Sequence, residues 1–316
     1  MKALWLENNQ ISVRDIPQPN NPNEALIKIH RAGICSTDLE LVKGYYPYTG
    51  ILGHEFVGEV VNAPDASWVG QRVVGEINAA CAKCEACLNG RPTHCEVRTV
   101  LGITQREGVF AEYTSLPLEN LYRVPDSVSD EMAVFTEPLA AALEIQQQVQ
   151  IKPTDRVLLV GAGRLGQLIA QTLALTGCDL HVLTRHSYQK DMLSARGIRS
   201  ISEVDIPPRK WDVVVEATGS PDGFSIARKA VRPRGTLVMK STYAGEMNIN
   251  FSSIVVDEIT VVGSRCGPFA PALRLLERRE VDPTVLISAH YALGEIIKAF
   301  EHASQAGVLK VQVEML

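Results

Sequence analysis

The chain carries four cysteines within fifteen residues, in a stretch that Gly, Asn and Pro interrupt. They are Cys81, Cys84, Cys87 and Cys95, spaced C-x₂-C-x₂-C-x₇-C. Four thiolates at these spacings can surround a tetrahedral zinc ion at about 2.3 Å and leave no position for water, which is the arrangement of a structural zinc site. An iron–sulfur cluster and buried or disulfide-paired cysteines are the alternatives. The tight clustering favours metal ligation over a disulfide framework.

Further metal-binding residue types lie elsewhere along the chain. Cys35 lies in G-I-C-S-T-D, His54 and Glu55 lie in G-H-E-F-V-G, and Glu137 lies in T-E-P-L. A thiol, an imidazole and a carboxylate are residue types that can ligate a metal ion. Taken singly, the same residues are also typical of a core cysteine, a hydrogen-bonded histidine and a glutamate at the start of a helix.

A glycine motif follows directly on an apolar strand. Residues 157–160 (V-L-L-V) run into G-A-G-R-L-G at 161–166 and then into a helical segment. Glycines at these spacings allow a tight turn, close approach of a pyrophosphate and packing of helix on strand, while the helix N-terminus offers free N–H groups. A purely structural glycine turn is the alternative. The residues expected at a dinucleotide are Gly161, Gly163, Arg164, Leu165 and Gly166.

The end of the second strand of this unit bears on the choice between NAD and NADP. An NAD site needs a carboxylate there for the ribose 2′-hydroxyl, but the chain has Thr184 and Arg185 followed by His186. A guanidinium with a nearby imidazole and Lys190 suits a 2′-phosphate, so NADP is favoured over NAD. The alternative is that Arg185 is a solvated loop arginine.

Two kinds of fold are needed to position these residues. Residues 1 to about 125 consist of short alternating segments broken by Gly, Pro and Asn, which favours an antiparallel β domain. From Asp155 onward, strands predicted at 156–160, 180–184, 211–216, 235–239 and 259–263 alternate with helices, which predicts a doubly wound parallel sheet. The end of the chain is expected to rejoin the β domain. The predicted domains are 1–138 with 272–316, and 139–271.

Length and charge set outer limits. At about 150 residues per domain, 316 residues suggest two domains. A formal charge of −5 gives no electrostatic reason to expect nucleic acid or an anionic membrane as a partner. The N-terminus does not resemble a secretory or transit peptide, and no apolar run approaches the roughly 18 residues of a spanning helix. A cytoplasmic protein with a small-molecule substrate is therefore expected.

In their order along the chain, these motifs resemble those of the medium-chain dehydrogenase/reductase superfamily, in its zinc-dependent alcohol, sorbitol and threonine dehydrogenase branch. The resemblance covers nearly the whole chain. Besides the motifs above, it includes G-V-F-A-E-Y at 108–113, K-P-T-D-R-V at 152–157 and E-A-T-G at 216–219.

The resemblance implies a GroES-like β catalytic domain and a Rossmann domain, with the active site in the cleft between them. Cys35 and His54 match the catalytic zinc ligands, and Glu55 matches a glutamate that binds the ion or exchanges on it with solvent. Glu137 matches the last ligand position, bound directly or through water. Cys81, Cys84, Cys87 and Cys95 match the structural zinc lobe. A homodimer or homotetramer is expected.

The resemblance also assigns roles around the zinc. Thr37 stands where the family has the hydroxyl that passes on the alcohol proton. Many members continue this relay with a histidine, but this chain has Glu40 at that position. The candidates for the next step of the relay are therefore Glu40, water and Asp38. The residues expected to contact the cofactor further include Ala217 and Thr218 of the E-A-T-G run and, near the C-terminus, Lys310, for which a solvated side chain is the alternative. Substrate-lining candidates are Tyr45, Tyr46, Phe56, Phe110 and Arg265.

The function predicted from the sequence is hydride transfer between a secondary alcohol or polyol, or the matching ketone or aldehyde, and NAD(P). An open zinc position would lower the pKa of the alcohol or polarise the carbonyl. Two alternatives are a carbonyl or enone reductase of the same fold and a zinc-stabilised dinucleotide-binding protein without turnover. No predicted zinc ligand is missing, which disfavours the second.

Overall fold

The computed structural model describes residues 1–242 and 247–315 and divides the chain into two compact units. The first unit is Met1–Glu137 with Phe269–Leu316, and the second is Pro138–Pro268. The sequence predicted these boundaries one residue later, after 138, and three residues later, after 271. Among the described residues, no helix is both long enough and apolar enough to cross a membrane.

The first unit is built mainly of short strands. Up to the boundary its strands are β1 (Lys2–Glu7), β2 (Gln10–Asp15), β3 (Ala25–Gly33), β4 (Gly50–Ile51), β5 (Glu55–Asn62), β6 (Arg72–Gly75), β7 (Asn78–Ala79), β8 (Thr99–Leu101), β9 (Gln105–Arg106), β10 (Tyr113–Leu116) and β11 (Leu121–Arg123). The helices are α1 (Ser36–Val42), α2 (Glu85–Leu88), α3 (Asp130–Ala133) and α4 (Thr136–Gln148), the last of which continues into the second unit.

The second unit alternates strands and helices. Its strands are β12 (Arg156–Val160), β13 (Asp179–Leu183), β14 (Arg199–Ile201), β15 (Trp211–Glu216), β16 (Val231–Met239) and β17 (Thr260–Gly263). Its helices are α5 (Arg164–Ala174), α6 (Ser187–Ser194), α7 (Pro221–Ala230) and α8 (Phe251–Val256). The chain then returns to the first unit with α9 (Phe269–Glu277), β18 (Ile287–Ala292), α10 (Ile296–Ala303) and β19 (Lys310–Glu314).

The main sheet of the first unit has the order β11-β6-β5-β3-β19-β18, with β10 also pairing with β3. On β3, buried Ile27 and Ile29 alternate with exposed Lys28, the pattern of a strand with one face on a core. β5 and β19 run antiparallel to β3 on its two sides, and both Glu55 and Gln312 pair with Gly33. The end of β3 thus meets the start of β5 and β19, which brings residues from three distant chain segments together.

The second unit contains a six-stranded parallel sheet of order β14-β13-β12-β15-β16-β17. Its central strand is buried from Val157 to Val160, as expected for a parallel sheet covered on both faces. The order reverses between β12 and β15, and ligands of such sheets bind at the carboxyl ends of the strands there. The predicted class, a GroES-like β domain with a Rossmann domain, is confirmed.

Most strands of the second unit lie within one residue of the predicted bounds, but β16 begins at Val231 rather than at 235, and one strand was not predicted. The strands predicted at 156–160 and 211–216 are found at those bounds, and the strand predicted at 180–184 begins and ends one residue earlier. The sequence pattern did not predict β14, because three residues are too few to show an alternation. The position of the residues after β14 relative to the end of β13 was therefore not predicted.

Candidate metal and cofactor sites

Cys35, His54 and Glu55 form a cluster of potential metal ligands in the first unit. One ligand atom from each lies within 4.8 Å of the others. Cys35 precedes α1, whereas His54 immediately precedes β5 and Glu55 begins it, so the β3–β5 pairing brings them together. His54 and Glu55 are buried and Cys35 is partly exposed. A thiol, an imidazole and a carboxylate form a donor set that suits zinc, and the arrangement fits the predicted site.

Asp38, on the first turn of α1, connects two of these residues. One carboxylate oxygen accepts the N–H of Cys35 at 2.8 Å, and the other lies 3.3 Å from Nδ1 of His54. Burial opposes protonation of His54, but the charges of Asp38 and Cys35 outweigh it and raise the pKa of His54 well above its ordinary value. With Nδ1 facing Asp38, Nε2 is the nitrogen left for a metal, as in many carboxylate–histidine–metal arrangements.

Asp38 is completely buried, which argues against the predicted option that it passes protons outward. Of the other relay residues, Thr37 has its hydroxyl oxygen 3.8 Å from the sulfur of Cys35. Glu40 accepts a hydrogen bond from Lys43 at 2.8 Å, in a pair whose side chains are largely exposed. Thr37 therefore lies beside the ligand cluster, while Glu40 belongs to a surface pair.

Lys310, at the start of β19, forms a buried ion pair with Glu55. Its ammonium contacts Oε2 of Glu55, and Nζ also lies 3.4 Å from the carbonyl oxygen of Ile34. The side chain is 5% exposed, so the alternative of a solvated lysine is wrong. Gly33 makes this approach possible, because a Cβ atom at this position would lie 2.5 Å from Oε2 of Glu55. Contact of Lys310 with a pyrophosphate remains a prediction.

Glu137, in the first turn of α4, lies close to the same cluster. Burial raises its pKa to about 7, with a smaller contribution from Glu55, whereas His54 and Lys310 act in the opposite direction. Among the described residues, the cluster whose ligand atoms lie within 4.8 Å contains Glu55 and not Glu137. The structure thus brings Glu55 nearer to the position of a first ligand, with Glu137 as a neighbouring carboxyl group.

The four cysteines of the predicted lobe also come together, with their sulfur atoms within 4.8 Å of one another. The N–H of Cys84 lies 3.3 Å from the sulfur of Cys81, and the N–H of Cys81 lies 3.3 Å from that of Cys95. Hydrogen bonds from backbone N–H groups, first that of Cys87, lower the pKa of Cys84 to about 6. The sulfurs of Cys84 and Cys87 are 3.5 Å apart, well beyond a disulfide bond of about 2.05 Å. The arrangement favours thiolate ligation of a metal.

The glycine motif lies where β12 runs into α5. Gly161 has φ +113°, and a Cβ atom there would lie 2.8 Å from the backbone of Ala217. At Gly166 a Cβ atom would lie 2.1 Å from the carbonyl oxygen of Gly161, so the third glycine allows the helix to pack on the turn. Gly163 precedes α5 and has open space on its Cβ side. The geometry suits the predicted dinucleotide-binding turn.

The other predicted cofactor residues of the second unit also follow the strands. Arg164 and Leu165 begin α5, and Ala217 donates its N–H to the carbonyl oxygen of Val160 at 2.9 Å. The hydroxyl of Thr218 donates to buried Glu216 at 2.5 Å. Ala217 and Thr218 thus follow β15 at the edge of the sheet where such folds bind their ligands.

The region after β13 contains a carboxylate that no sequence motif indicates. Nη2 of Arg185 lies 3.6 Å from Oε2 of Glu203, which follows β14. Thr184 is partly buried and Lys190 is exposed on α6. The end of β13 itself has no carboxylate, as predicted, but the segment after the neighbouring strand β14 supplies one. Glu203 could have been found only by recognising β14.

Two of the predicted substrate-lining residues belong instead to the core of the first unit. Phe110 is completely buried and packs edge to face against Phe300, and Phe56 is also buried. Their apolar rings were expected to line a pocket, but packing in the core removes their apolar surface from water. Tyr46 is half-buried; burial, the largest effect, raises its pKa, while the charge of His54 lowers it. Tyr46 therefore lies near the metal-ligand cluster.

Comparisons with known proteins agree with this architecture. Residues 21–126 match the family model of the alcohol dehydrogenase GroES-like domain. The chain is 31% identical to a sorbitol dehydrogenase of Halalkalibacterium halodurans, over 97% of both chains. A structure described as a zinc-binding dehydrogenase of Sinorhizobium meliloti 1021 bound to NADP has a TM-score of 0.92 at 28% identity, over 99% of both chains. An alcohol dehydrogenase of Escherichia coli CFT073 complexed with NADH has a TM-score of 0.90 at 25% identity, over 100% of this chain and 99% of that one.

Proposed function

Because the chain belongs to the zinc-dependent medium-chain dehydrogenase/reductase family, we propose that it transfers a hydride between a secondary alcohol or polyol and NADP. Its relatives are dehydrogenases of CH–OH groups, and the chain is an oxidoreductase acting on alcohols. The observation that carries the proposal is the convergence of Cys35, His54 and Glu55, with Asp38 holding two of them.

The donor set of this cluster fits zinc, since thiolate, imidazole and carboxylate are all ligands of catalytic zinc sites. Zinc bound there would polarise the oxygen of the alcohol or carbonyl substrate. Two neighbouring residues support the proposed zinc position. Asp38 orients His54. Lys310 balances the charge of Glu55 through an ammonium contact with Oε2, and the other carboxylate oxygen does not take part in this contact.

Thr37 is proposed as the first acceptor of the substrate proton. Its hydroxyl lies 3.8 Å from the sulfur of Cys35 and therefore beside the position where the substrate oxygen would bind. Asp38 is buried and engaged with Cys35, and Glu40 is paired with Lys43 on the surface. Water is accordingly favoured as the next carrier after Thr37.

A second zinc ion is proposed at Cys81, Cys84, Cys87 and Cys95, where it would fill a closed four-thiolate site. Such sites contribute to folding, whereas an open site contributes less. The two ions should therefore differ in lability.

The preference for NADP over NAD is supported by Arg185 at the end of β13 and by Lys190 nearby on α6, both exposed. The relatives include one structure with NADP and one with NADH, so the family occurs with both cofactors. The preference of this chain therefore depends on its own residues around the adenosine ribose.

A homo-oligomer is proposed from the edge of the parallel sheet. β17 ends the strand order and pairs only with β16 among the described strands. Just before it along the chain, α8 exposes Phe251, Val255 and Val256, the last to 80%. An unpaired edge strand next to exposed apolar side chains is a surface that a second copy of the chain can cover. Sedimentation of Val256→Glu against the unchanged protein tests this, with a shift toward monomer expected.

A cytoplasmic location is likewise proposed. All seven cysteines are free thiols, and the four of the lobe must stay reduced to bind metal. Cell fractionation with a tagged protein tests the location.

The activity is tested by assaying a panel of alcohols, polyols and ketones with both cofactors in both directions. Cys35→Ala and His54→Ala should abolish turnover while the fold, followed by circular dichroism, is retained. Cys178→Ala, which changes a thiol of the second unit outside both clusters, is the matched control and should remain active. A protein that binds zinc and dinucleotide but turns over no substrate of the panel would favour the non-catalytic alternative, and faster reduction than oxidation would favour the reductase.

A further inference from the structure

A carboxylate lies beside the guanidinium that is proposed to bind the 2′-phosphate. Arg185 and Glu203 follow neighbouring parallel strands, and their charged atoms are 3.6 Å apart. The side chains are 56% and 55% exposed, so a ligand approaching from solvent can reach both.

The backbone holds the two residues in this relationship. β13 and β14 pair in register up to Leu183 and Ile201, and the N–H of Thr184 donates to the carbonyl oxygen of Ile201 at 3.2 Å. After β14, the hydroxyl of Ser202 donates to Asp205 at 2.5 Å across the short 3-10 turn Glu203–Asp205. Glu203 is thus fixed next to Arg185 by main-chain pairing rather than by the weak ion pair itself.

Glu203 affects the two cofactors differently. The 2′-phosphate of NADP carries negative charge, so it must replace Glu203 as the partner of Arg185 and is repelled by the displaced carboxylate. The 2′-hydroxyl of NAD is neutral and meets neither cost. A glutamate at this position therefore reduces the advantage that Arg185 gives to NADP.

We propose that Glu203 is a specificity-determining residue, which restrains the preference for NADP by competing with the 2′-phosphate for Arg185. This rests on the proposed function in that the adenosine end of the dinucleotide must bind at the end of β13. The exposure of the pair limits the effect to that of a surface ion pair, a change in affinity of about two- to fivefold.

The test is calorimetric titration of the full chain with 2′,5′-ADP and with 5′-AMP, which differ only in the 2′-phosphate. Glu203→Gln should bind 2′,5′-ADP about two- to fivefold more tightly than the unchanged protein, with 5′-AMP unaffected. The gain should shrink at high salt, and it should become smaller when Arg185→Ala is added, because only the repulsion between the carboxylate and the 2′-phosphate then remains. Glu258→Gln is the matched control, because Glu258 forms a similar exposed pair with Arg234 at 3.5 Å; it should change neither affinity.

The outcomes separate this inference from the cofactor proposal. If Glu203→Gln leaves the ratio of the two affinities unchanged, or tightens both ligands equally, the role of Glu203 is overturned even where the unchanged protein prefers 2′,5′-ADP. If the unchanged protein prefers 5′-AMP but Glu203→Gln shifts the ratio toward 2′,5′-ADP, the preference for NADP fails and the role of Glu203 stands. Binding of neither ligand overturns both.

Discussion

The carboxylate of Asp38 lies 3.3 Å from Nδ1 of His54, and both side chains are buried. Its other oxygen accepts the N–H of Cys35, so one residue orients two candidate zinc ligands. Asp38 is thus expected to act on the proposed metal site through His54 and Cys35, and this effect can be measured separately from catalysis.

Asp38→Asn should weaken zinc binding at the catalytic site about 10- to 100-fold, the usual effect of losing a partner of a ligand histidine. The amide keeps the shape of the carboxylate but removes its charge. Competition with a zinc chelator measures the affinity. Asp65→Asn, on an exposed turn of the same unit, is the control. An affinity equal to that of the control would show that Asp38 serves the fold alone.

Lys310→Met should destabilise the metal-free protein by about 3–5 kcal/mol, because it leaves Glu55 buried without its cation. Zinc bound at the cluster would supply positive charge to Glu55, so the loss should be smaller in the zinc-loaded protein. Urea unfolding of both forms measures the difference. Adding Glu55→Gln to Lys310→Met should restore part of the stability. Equal losses in the two forms would contradict the proximity of Glu55 to the metal.

Gly161→Ala should cost about 1–3 kcal/mol of stability and abolish dinucleotide binding, because the residue has φ +113° and its Cβ would meet the backbone of Ala217. Gly163→Ala is the matched control for stability, since its Cβ would enter open space. Thermal unfolding and cofactor titration of both variants provide the comparison. Dinucleotide binding by Gly161→Ala at the normal affinity would be evidence against the assigned turn.

The kcat/KM with NADP(H) should exceed that with NAD(H), and Arg185→Ala should narrow the gap by up to about 1.5–3 kcal/mol through loss of a charge-assisted contact. Steady-state rates with both cofactors give the ratio. Arg199→Ala is the control and should leave this ratio unchanged. Arg199 is an exposed arginine at the start of β14 and pairs with Asp179. A ratio that favours NAD(H), or that Arg185→Ala does not move, would mean that other groups hold the ribose.

Much of the fold and of the candidate site could be predicted from the sequence wherever the signal is local. The glycine motif, the spacing of Cys81 to Cys95 and the strand at 156–160 depend on neighbouring residues and are found in the structure. The ion pair of Lys310 and Glu55 joins two strands, and the two residues are 255 positions apart in the chain. No local sequence pattern indicates that this lysine is buried. Glu203 was missed for the related reason that β14 is too short for a periodic signal.

The central claim, a zinc-dependent dehydrogenase, is tested most directly by measuring zinc content and turnover on the same purified preparation during treatment with a chelator. A zinc-to-chain ratio of about two is expected at the start. The more labile ion should leave first, turnover should fall in proportion, and added zinc should restore it while the four-cysteine lobe keeps its ion. Turnover that persists unchanged in protein without zinc would contradict the account.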